Sequence, residues 1–157
     1  MTILSNGHMW KHSEFIENNN FSFDKNKILN SLSKKDIDDA YSSVSSWKGY
    51  SPTPLIELNK LSKELRLNKI FYKDESKRFD LKSFKALGGA YAVEKISKGS
   101  KDIVVATATA GNHGRSVAWG ARRLGLKCKI FISEFVSDAR GQAMAELGAD
   151  VVKVKGN

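Results

Sequence analysis

Residues 103–154 read IVVATATAGNHGRSVAWGARRLGLKCKIFISEFVSDARGQAMAELGADVVKV. Short runs of β-branched residues alternate here with longer amphipathic runs, which predicts strands at 103–106, 129–132 and 151–154 and helices at 117–124 and 139–147. Strands that alternate with helices form βαβ units, so this stretch predicts an α/β fold with a parallel sheet and flanking helices. Ligands of such sheets bind beyond the carboxyl ends of the strands.

The same alternation extends towards the N-terminus. We expect a short helix around 58–65, a strand at 69–73 and a helix at 84–97, after a proline-containing extended segment at 50–58. Ser33 and Asp36 form a plausible capping pair for a further helix that ends near Trp47. Residues 1–30 are polar, rich in asparagine and without a period, which predicts an irregular arm. We therefore expect an N-terminal arm and helix at 1–46 and the main α/β domain at 47–157.

Composition narrows the classes of function. The chain has 157 residues and a formal net charge of +9, but its lysines are scattered among acids, as in KKDIDD and KDESKR. This pattern is typical of a solvated surface, so we expect neither a nucleic-acid nor a membrane partner. No long apolar run or signal peptide is visible, which predicts a cytoplasmic protein. Cys128, the single cysteine, lies in the apolar string KCKIFI, as expected for a buried strand thiol.

Lys85 is the first candidate for chemistry. It follows Phe84 in the string SFKALGG, where a helix is predicted to begin. The positive end of a helix dipole disfavours an ammonium ion there, and an uncharged amine is what imine formation with an aldehyde cofactor requires. An ordinary surface lysine in a first helical turn would give the same pattern, so the residues alone leave both interpretations open.

The string TATAGNHGRS, which follows the strand at 103–106, is the second candidate. The backbone N–H groups at the start of a helix have no partner within the helix, and small residues before it leave them accessible. Such N–H groups can bind a carboxylate or a phosphate. Asn112 adds a neutral donor, and His113 is either a base or a structural residue. The string lacks both the lysine of a P-loop and the glycine spacing of a dinucleotide fingerprint, which weakens the case for nucleotide binding.

Three strings together resemble a known family. WKGYSPTPLIEL, KDESKRFDLKSFKALGGAYAV and TATAGNHGRSVAWGARRLG resemble the N-terminal portion of the diaminopropionate ammonia-lyases, which are fold-type-II, tryptophan-synthase-β-like pyridoxal-phosphate enzymes. The resemblance covers about residues 47–157. It implies a cytoplasmic carbon–nitrogen lyase of amino-acid catabolism that uses pyridoxal 5′-phosphate to eliminate ammonia from 2,3-diaminopropionate, giving pyruvate.

The resemblance also implies roles for individual residues. Lys85 would hold the cofactor as a Schiff base and act as the base, and Phe84 would pack against the cofactor ring. Asn112 would donate a hydrogen bond to the cofactor 3′-oxygen. The substrate carboxylate would be bound by the loop Thr109, Ala110, Gly111, Asn112 and His113. No metal is implied, and a complete enzyme of this family would form a homodimer.

The sequence departs from the family pattern in two respects. The best-known diaminopropionate ammonia-lyases carry an aspartate within TATDGNHG, where this chain has Ala110, and the loop thereby approaches that of threonine and serine dehydratases. The chain is also shorter than family members, which predicts a truncated N-terminal part whose partner would be a complementing C-terminal polypeptide. We expect these 157 residues alone not to turn over substrate. A threonine or serine dehydratase-like lyase and a non-catalytic α/β binding or interaction module are the alternatives.

Overall fold

The computed structural model describes residues 2–5, 8–11 and 24–156. The chain divides into two compact units, one formed by residues 1–37 and 56–72 and the other by residues 38–55 and 73–157. The predicted boundary between residues 46 and 47 remains a prediction.

The N-terminal region is more regular than its sequence suggested. Strands β1 (Thr2–Ser5) and β2 (His8–Lys11) pair antiparallel, and helix α1 spans Lys25–Ser31. The prediction of an irregular arm over residues 1–30 is therefore wrong for these segments, and residues 12–23 lie outside the described residues. The overlooked signal was the Asn-Gly dipeptide between the two strands, which favours a two-residue hairpin turn. Asp24 caps α1, because its carboxylate accepts hydrogen bonds from two backbone N–H groups of the first turn.

The predicted capping pair is confirmed. Helix α2 spans Lys34–Ser45; the Asp36 carboxylate accepts a hydrogen bond from the Ser33 N–H at 3.0 Å, and the Ser33 hydroxyl accepts one from the Asp36 N–H at 3.1 Å. The following elements are strand β3 (Leu55–Glu57), helix α3 (Asn59–Glu64) and strand β4 (Phe71–Lys73). β4 confirms most of the strand expected at 69–73, but it pairs with β3 in a separate two-stranded sheet and does not join the parallel sheet.

The parallel sheet has the strand order β5 (Val104–Ala108), β6 (Lys127–Ser133) and β7 (Ala149–Val154). Helix α4 (Lys85–Ser97) precedes β5, α5 (Asn112–Leu124) joins β5 to β6, and α6 (Asp138–Ala145) joins β6 to β7. Both strand pairs are parallel, with Val105 beside Cys128 and Ile130 beside Val151. The predicted α/β fold with a parallel sheet and flanking helices is confirmed.

The hydrophobic core lies between one face of this sheet and helices α5 and α6. Cys128, Ile130 and Ile132 of β6 point into it, and Val117 of α5 and Met144 of α6 pack with them. Cys128 is 4% exposed, and burial raises the pKa of its thiol, so the expected buried strand cysteine is confirmed.

Helix α4 packs on α5 through small residues. Its buried positions are Ala86, Gly89, Ala90, Val93 and Ser97, whereas Phe84, at the start of the predicted helix, is exposed. A Cβ atom at Gly120 of α5 would lie 2.7 Å from the Ala90 Cα, so the two backbones are closer than larger side chains would permit. This close approach fixes where α4 begins relative to α5.

Candidate active site

Lys85 is the first residue of α4 and is exposed. Its Nζ lies 5.3 Å from the centroid of the Phe84 ring, and Phe84 is itself 60% exposed. The Lys85 N–H donates a hydrogen bond to the Ser83 hydroxyl oxygen at 3.2 Å. An accessible amine therefore lies beside an accessible aromatic face at the positive end of a 13-residue helix.

The loop before Lys85 has an unusual backbone. Arg78–Asp80 forms a 3₁₀ turn, and Phe79, Asp80 and Lys82 all have positive φ angles. Non-glycine residues adopt this conformation only where the surroundings enforce it. The Phe79 ring is held between Trp119, with centroids 4.7 Å apart, and Trp47, at 5.8 Å. Aromatic packing thus holds the strained loop that precedes the candidate lysine.

A buried arginine anchors the same loop. Arg78 is 6% exposed; its Nε donates to the Glu75 carboxylate at 2.8 Å, and its Nη atoms donate to the Ser51 carbonyl and the Thr53 hydroxyl. The Thr53 hydroxyl also donates to Glu75. The hydrogen bonds from Arg78 lower the pKa of Glu75, so the carboxylate is held in its charged form. This network joins residues 51–53 to the start of the 3₁₀ turn.

The second candidate string forms the end of β5 and the start of α5. The Thr109 N–H donates to the Phe131 carbonyl at 3.0 Å, and Gly111 is the residue just before the helix. Asn112 and His113 occupy the first turn, and both are exposed. The backbone N–H groups of this first turn point away from the helix and are available for an anion.

Two cavities adjoin this helix start. One, of about 530 Å³, is lined by Ala110, Gly111 and Asn112 together with the Arg115 and Arg140 side chains and neighbouring residues of α6. The other, of about 290 Å³, is lined by His113 and Thr107 and by apolar residues of α4 and β5. His113 therefore lines a different cavity from Ala110, Gly111 and Asn112, and neither Thr109 nor Lys85 lines either of the two.

Two residues of α5 connect it to the Lys85 segment. The Ser116 hydroxyl donates to the Lys85 backbone carbonyl at 2.5 Å, and Arg115 Nη1 donates to the Leu81 carbonyl at 3.2 Å. Both residues lie in the candidate string TATAGNHGRS, but the sequence interpretation gave neither of them a role. The Gly88–Gly89 pair was an available signal, because glycine is unfavourable inside a helix and its presence there usually has a packing reason.

The comparisons with known proteins show the family to which the chain belongs. A family model described as "Pyridoxal-phosphate dependent enzyme" matches residues 47–157. The chain belongs to this family. Diaminopropionate ammonia-lyase of Escherichia coli (strain K12) is 40% identical to it over 66% of the chain and 31% of the relative. A catabolic L-threonine dehydratase of Staphylococcus aureus (strain USA300) is 31% identical over 77% of the chain and 34% of the relative.

Solved structures of pyridoxal-phosphate enzymes also match this chain. The Escherichia coli diaminopropionate ammonia-lyase in complex with an aminoacrylate-PLP azomethine reaction intermediate matches with a TM-score of 0.73 and 36% identity, over 79% of this chain and 35% of that one. A processed threonine deaminase from Solanum lycopersicum matches with a TM-score of 0.66 and 27% identity, over 86% of this chain and 35% of that one. The chain thus spans about a third of the length of the relatives it matches.

These findings confirm the resemblance to the diaminopropionate ammonia-lyases, the fold-type-II architecture and pyridoxal phosphate as the family cofactor. The individual roles of Lys85, Phe84, Asn112 and the loop Thr109–His113 remain predictions. Within the ranges that the structure describes, no helix has the length and apolar character needed to cross a bilayer, and no group of His, Cys, Asp and Glu side chains is arranged to hold a metal ion.

The described residues fit the cofactor. Pyridoxal phosphate has an aldehyde, which needs an accessible amine, and a flat ring, which needs an aromatic or apolar neighbour. Lys85 and Phe84 provide these two groups side by side, with the amine 5.3 Å from the ring centroid. Across the α4–α5 interface, the first turn of α5 adds the Asn112 amide and free backbone N–H groups.

Proposed function

We propose that this chain is the part of an ammonia-lyase that carries the cofactor-binding lysine. The enzyme would convert L-2,3-diaminopropionate and water into pyruvate and two ammonia molecules. The observation that carries the proposal is the exposed Lys85 amine beside the Phe84 ring, at a helix start hydrogen-bonded to the helix that begins with Asn112. The 40% identity to diaminopropionate ammonia-lyase supports this substrate over other amino acids.

The bound cofactor supplies an electron sink for the substrate Cα. Lys85 Nζ would hold the cofactor at its aldehyde carbon, and the same Nζ, once released by the substrate amine, would accept the proton from the substrate Cα. The Asn112 amide would donate a hydrogen bond to the cofactor 3′-oxygen. The backbone N–H groups at the start of α5 bind the substrate carboxylate and orient the Cα–H bond towards Lys85.

Ala110 determines the expected stereochemistry. Family members with the sequence TATDGNHG have an aspartate at this position, whereas an alanine side chain has no group that accepts a proton. Lys85 would then act as the base at Cα from a single face of the substrate. We therefore propose that the enzyme uses the L-isomer and works poorly on the D-isomer.

The test is pyruvate release by the full gene product with both diaminopropionate isomers, L-serine and L-threonine. We expect kcat/KM for the D-isomer to be lower than for the L-isomer by at least about 10²-fold, which is the lower range of the contribution of a general base. Equal rates on both isomers would contradict the base argument.

A threonine or serine dehydratase is the second candidate. Two observations favour it: Ala110 gives the loop the small residue typical of those enzymes, and a catabolic L-threonine dehydratase is 31% identical to the chain. A strong preference for L-threonine in the same assay would establish this activity in place of the first.

Replacing Asn112 with alanine tests the cofactor contact. We expect the affinity for pyridoxal phosphate to fall by about fivefold or more, because a hydrogen bond of about 1 kcal/mol is lost. The fold should remain intact, since Asn112 is exposed at the start of α5. Titration followed by visible absorbance measures the change.

Gln142→Ala is the matched control for Asn112→Ala. It removes an exposed amide of α6 that donates to Glu146 at 3.3 Å, and it should leave the cofactor affinity unchanged. Unaltered affinity and absorbance in Asn112→Ala would remove Asn112 from the cofactor site.

A further inference from the structure

Ser116 is a fully buried serine whose hydroxyl leaves its own helix. It is 0% exposed, and its Oγ–H donates at 2.5 Å to the backbone carbonyl of Lys85, across the α4–α5 interface. A serine within a helix usually points to solvent or bonds a carbonyl one turn earlier in the same helix. A buried hydroxyl requires a partner, and here the partner is the backbone of the candidate cofactor lysine.

Gly89 makes this hydrogen bond possible. A Cβ atom at position 89 would lie 2.3 Å from the Ser116 Oγ and 2.9 Å from its Cβ, both too close for any side chain. Gly89 lies one turn after Lys85 in α4, and glycine is unfavourable inside a helix. The position therefore needs glycine because the Ser116 hydroxyl occupies the adjacent space.

The hydrogen bond joins the two helix starts that carry the candidate site. Ser116 lies four residues after Asn112, which is about one helical turn. β4 and β5 belong to different sheets, so a shared sheet edge does not align the segments that follow them. The contact from Ser116 to Lys85 is a direct link between those segments.

We propose that Ser116 is a positioning residue: its hydroxyl fixes the Lys85 backbone relative to the first turn of α5, so that Nζ meets a cofactor held at that turn. The inference rests on the proposed function, since it assumes that Lys85 reacts with pyridoxal phosphate. Ser116 itself is buried and acts through Lys85.

The test compares Ser116→Ala with the unchanged protein. Each is incubated with pyridoxal phosphate, reduced with borohydride and mapped, and the rate of pyridoxyl labelling at Lys85 and the visible absorbance maximum are recorded. We expect Ser116→Ala to lower the Lys85 labelling rate by about fivefold, the factor that corresponds to a typical neutral hydrogen bond, and to shift the absorbance maximum.

Ser97→Ala is the control. Ser97 is also buried in α4, but its hydroxyl donates at 2.9 Å to the Glu94 carbonyl of the same helix, near the end remote from Lys85. We expect Ser97→Ala to lose about as much thermal stability as Ser116→Ala does. The labelling rate of Lys85 and the absorbance maximum should not change in Ser97→Ala. The double variant Gly89→Ala/Ser116→Gly restores the space between the helices without the hydroxyl, and it should label as slowly as Ser116→Ala.

The outcomes separate the two levels of the proposal. Fast, specific labelling of Lys85 in both the unchanged protein and Ser116→Ala would overturn the role of Ser116 and leave the proposed function standing. A label on other lysines of the unchanged protein, with Lys85 unmodified, would overturn both. Slow labelling of Ser97→Ala as well would show that general stability, and not the contact with Lys85, governs the rate.

Discussion

Replacing Lys85 with alanine is expected to lower the kcat for pyruvate release by the full gene product by about 10²–10⁴-fold, the range that a general base contributes. In the proposed mechanism, the variant loses both the amine that would hold the cofactor and the group that would remove the proton from the substrate Cα. Because Lys85 is exposed and begins α4, its removal should leave the unfolding free energy almost unchanged. Steady-state kinetics and a denaturant titration measure the two effects separately.

Lys95→Ala is a closely matched control. Lys95 is an exposed lysine of the same helix, and its Nζ lies 5.4 Å from the Tyr91 ring centroid, almost the distance between Lys85 and Phe84. It differs in lying in the last turn, where the helix dipole favours an ammonium ion. We expect Lys95→Ala to retain full activity. Activity that survives in Lys85→Ala, or borohydride labelling at Lys95 in place of Lys85, would remove Lys85 from the mechanism.

Replacing Arg78 with methionine is expected to lower the free energy of unfolding by about 3–5 kcal/mol, as found when one partner of a buried ion pair is removed. The Arg78 side chain is 6% exposed and that of Glu75 is 16% exposed, so the remaining carboxylate would be largely desolvated without its cation. The Ser51 carbonyl and the Thr53 hydroxyl would lose donors as well. Denaturant unfolding followed by circular dichroism measures the loss.

Lys153→Met shows how much of this effect depends on burial. Lys153 pairs with Asp138 at 2.7 Å, close to the 2.8 Å between Arg78 and Glu75, but its partner is 94% exposed. An exposed pair is worth about 0–1 kcal/mol, and we expect no larger change in this control. Equal losses in Arg78→Met and Lys153→Met would contradict the importance of burial.

The effect of Arg78→Met should also depend on pH. Arg78 lowers the pKa of Glu75 from its ordinary value of 4.5, so their interaction stabilises the fold above that pH and is lost as the pH falls through the lowered value. The difference in unfolding free energy between the unchanged protein and Arg78→Met should therefore become smaller as the pH is lowered from about 6 to about 3. A difference that stays constant over this range would show that the charge of Glu75 is not involved.

Local sequence patterns predicted the elements around the candidate site. The runs at 103–106, 129–132 and 151–154 became β5, β6 and β7 because alternating β-branched residues suit a pleated sheet with one face in a core. Ser33 and Asp36 capped α2 because a capping box needs contacts only within one turn. In the N-terminal region, composition was a poor guide, since β1 and β2 pair antiparallel within a stretch that was predicted to be irregular.

Contacts between segments remote in sequence could not be predicted in this way. Amphipathic spacing indicated a helix at 84–97, yet the buried positions of α4 include Gly89 and Ser97, which carry no hydrophobic signal. The strand expected at 69–73 was predicted to belong to the parallel sheet, but it pairs with β3 in a separate sheet. Local patterns did not show this, because strand partners are selected by long-range pairing. Motif residues such as Lys85 and Asn112 stood out in the chain itself, whereas Ser116 and Arg115 did not.

The amino-acid sequence alone established the α/β class, the family and the candidate cofactor lysine, because hydrophobic periodicity and short motifs are properties of neighbouring residues. Tertiary structure alone showed which distant residues contact the backbone of that lysine and of the loop before it. The Ser116 hydroxyl meets the Lys85 carbonyl across 31 residues of sequence, and the Arg78 guanidinium meets the Thr53 hydroxyl across 25. The first of these pairs depends on how closely the α4 and α5 backbones approach, and that distance is set where Gly89 and Gly120 pack against the facing helix.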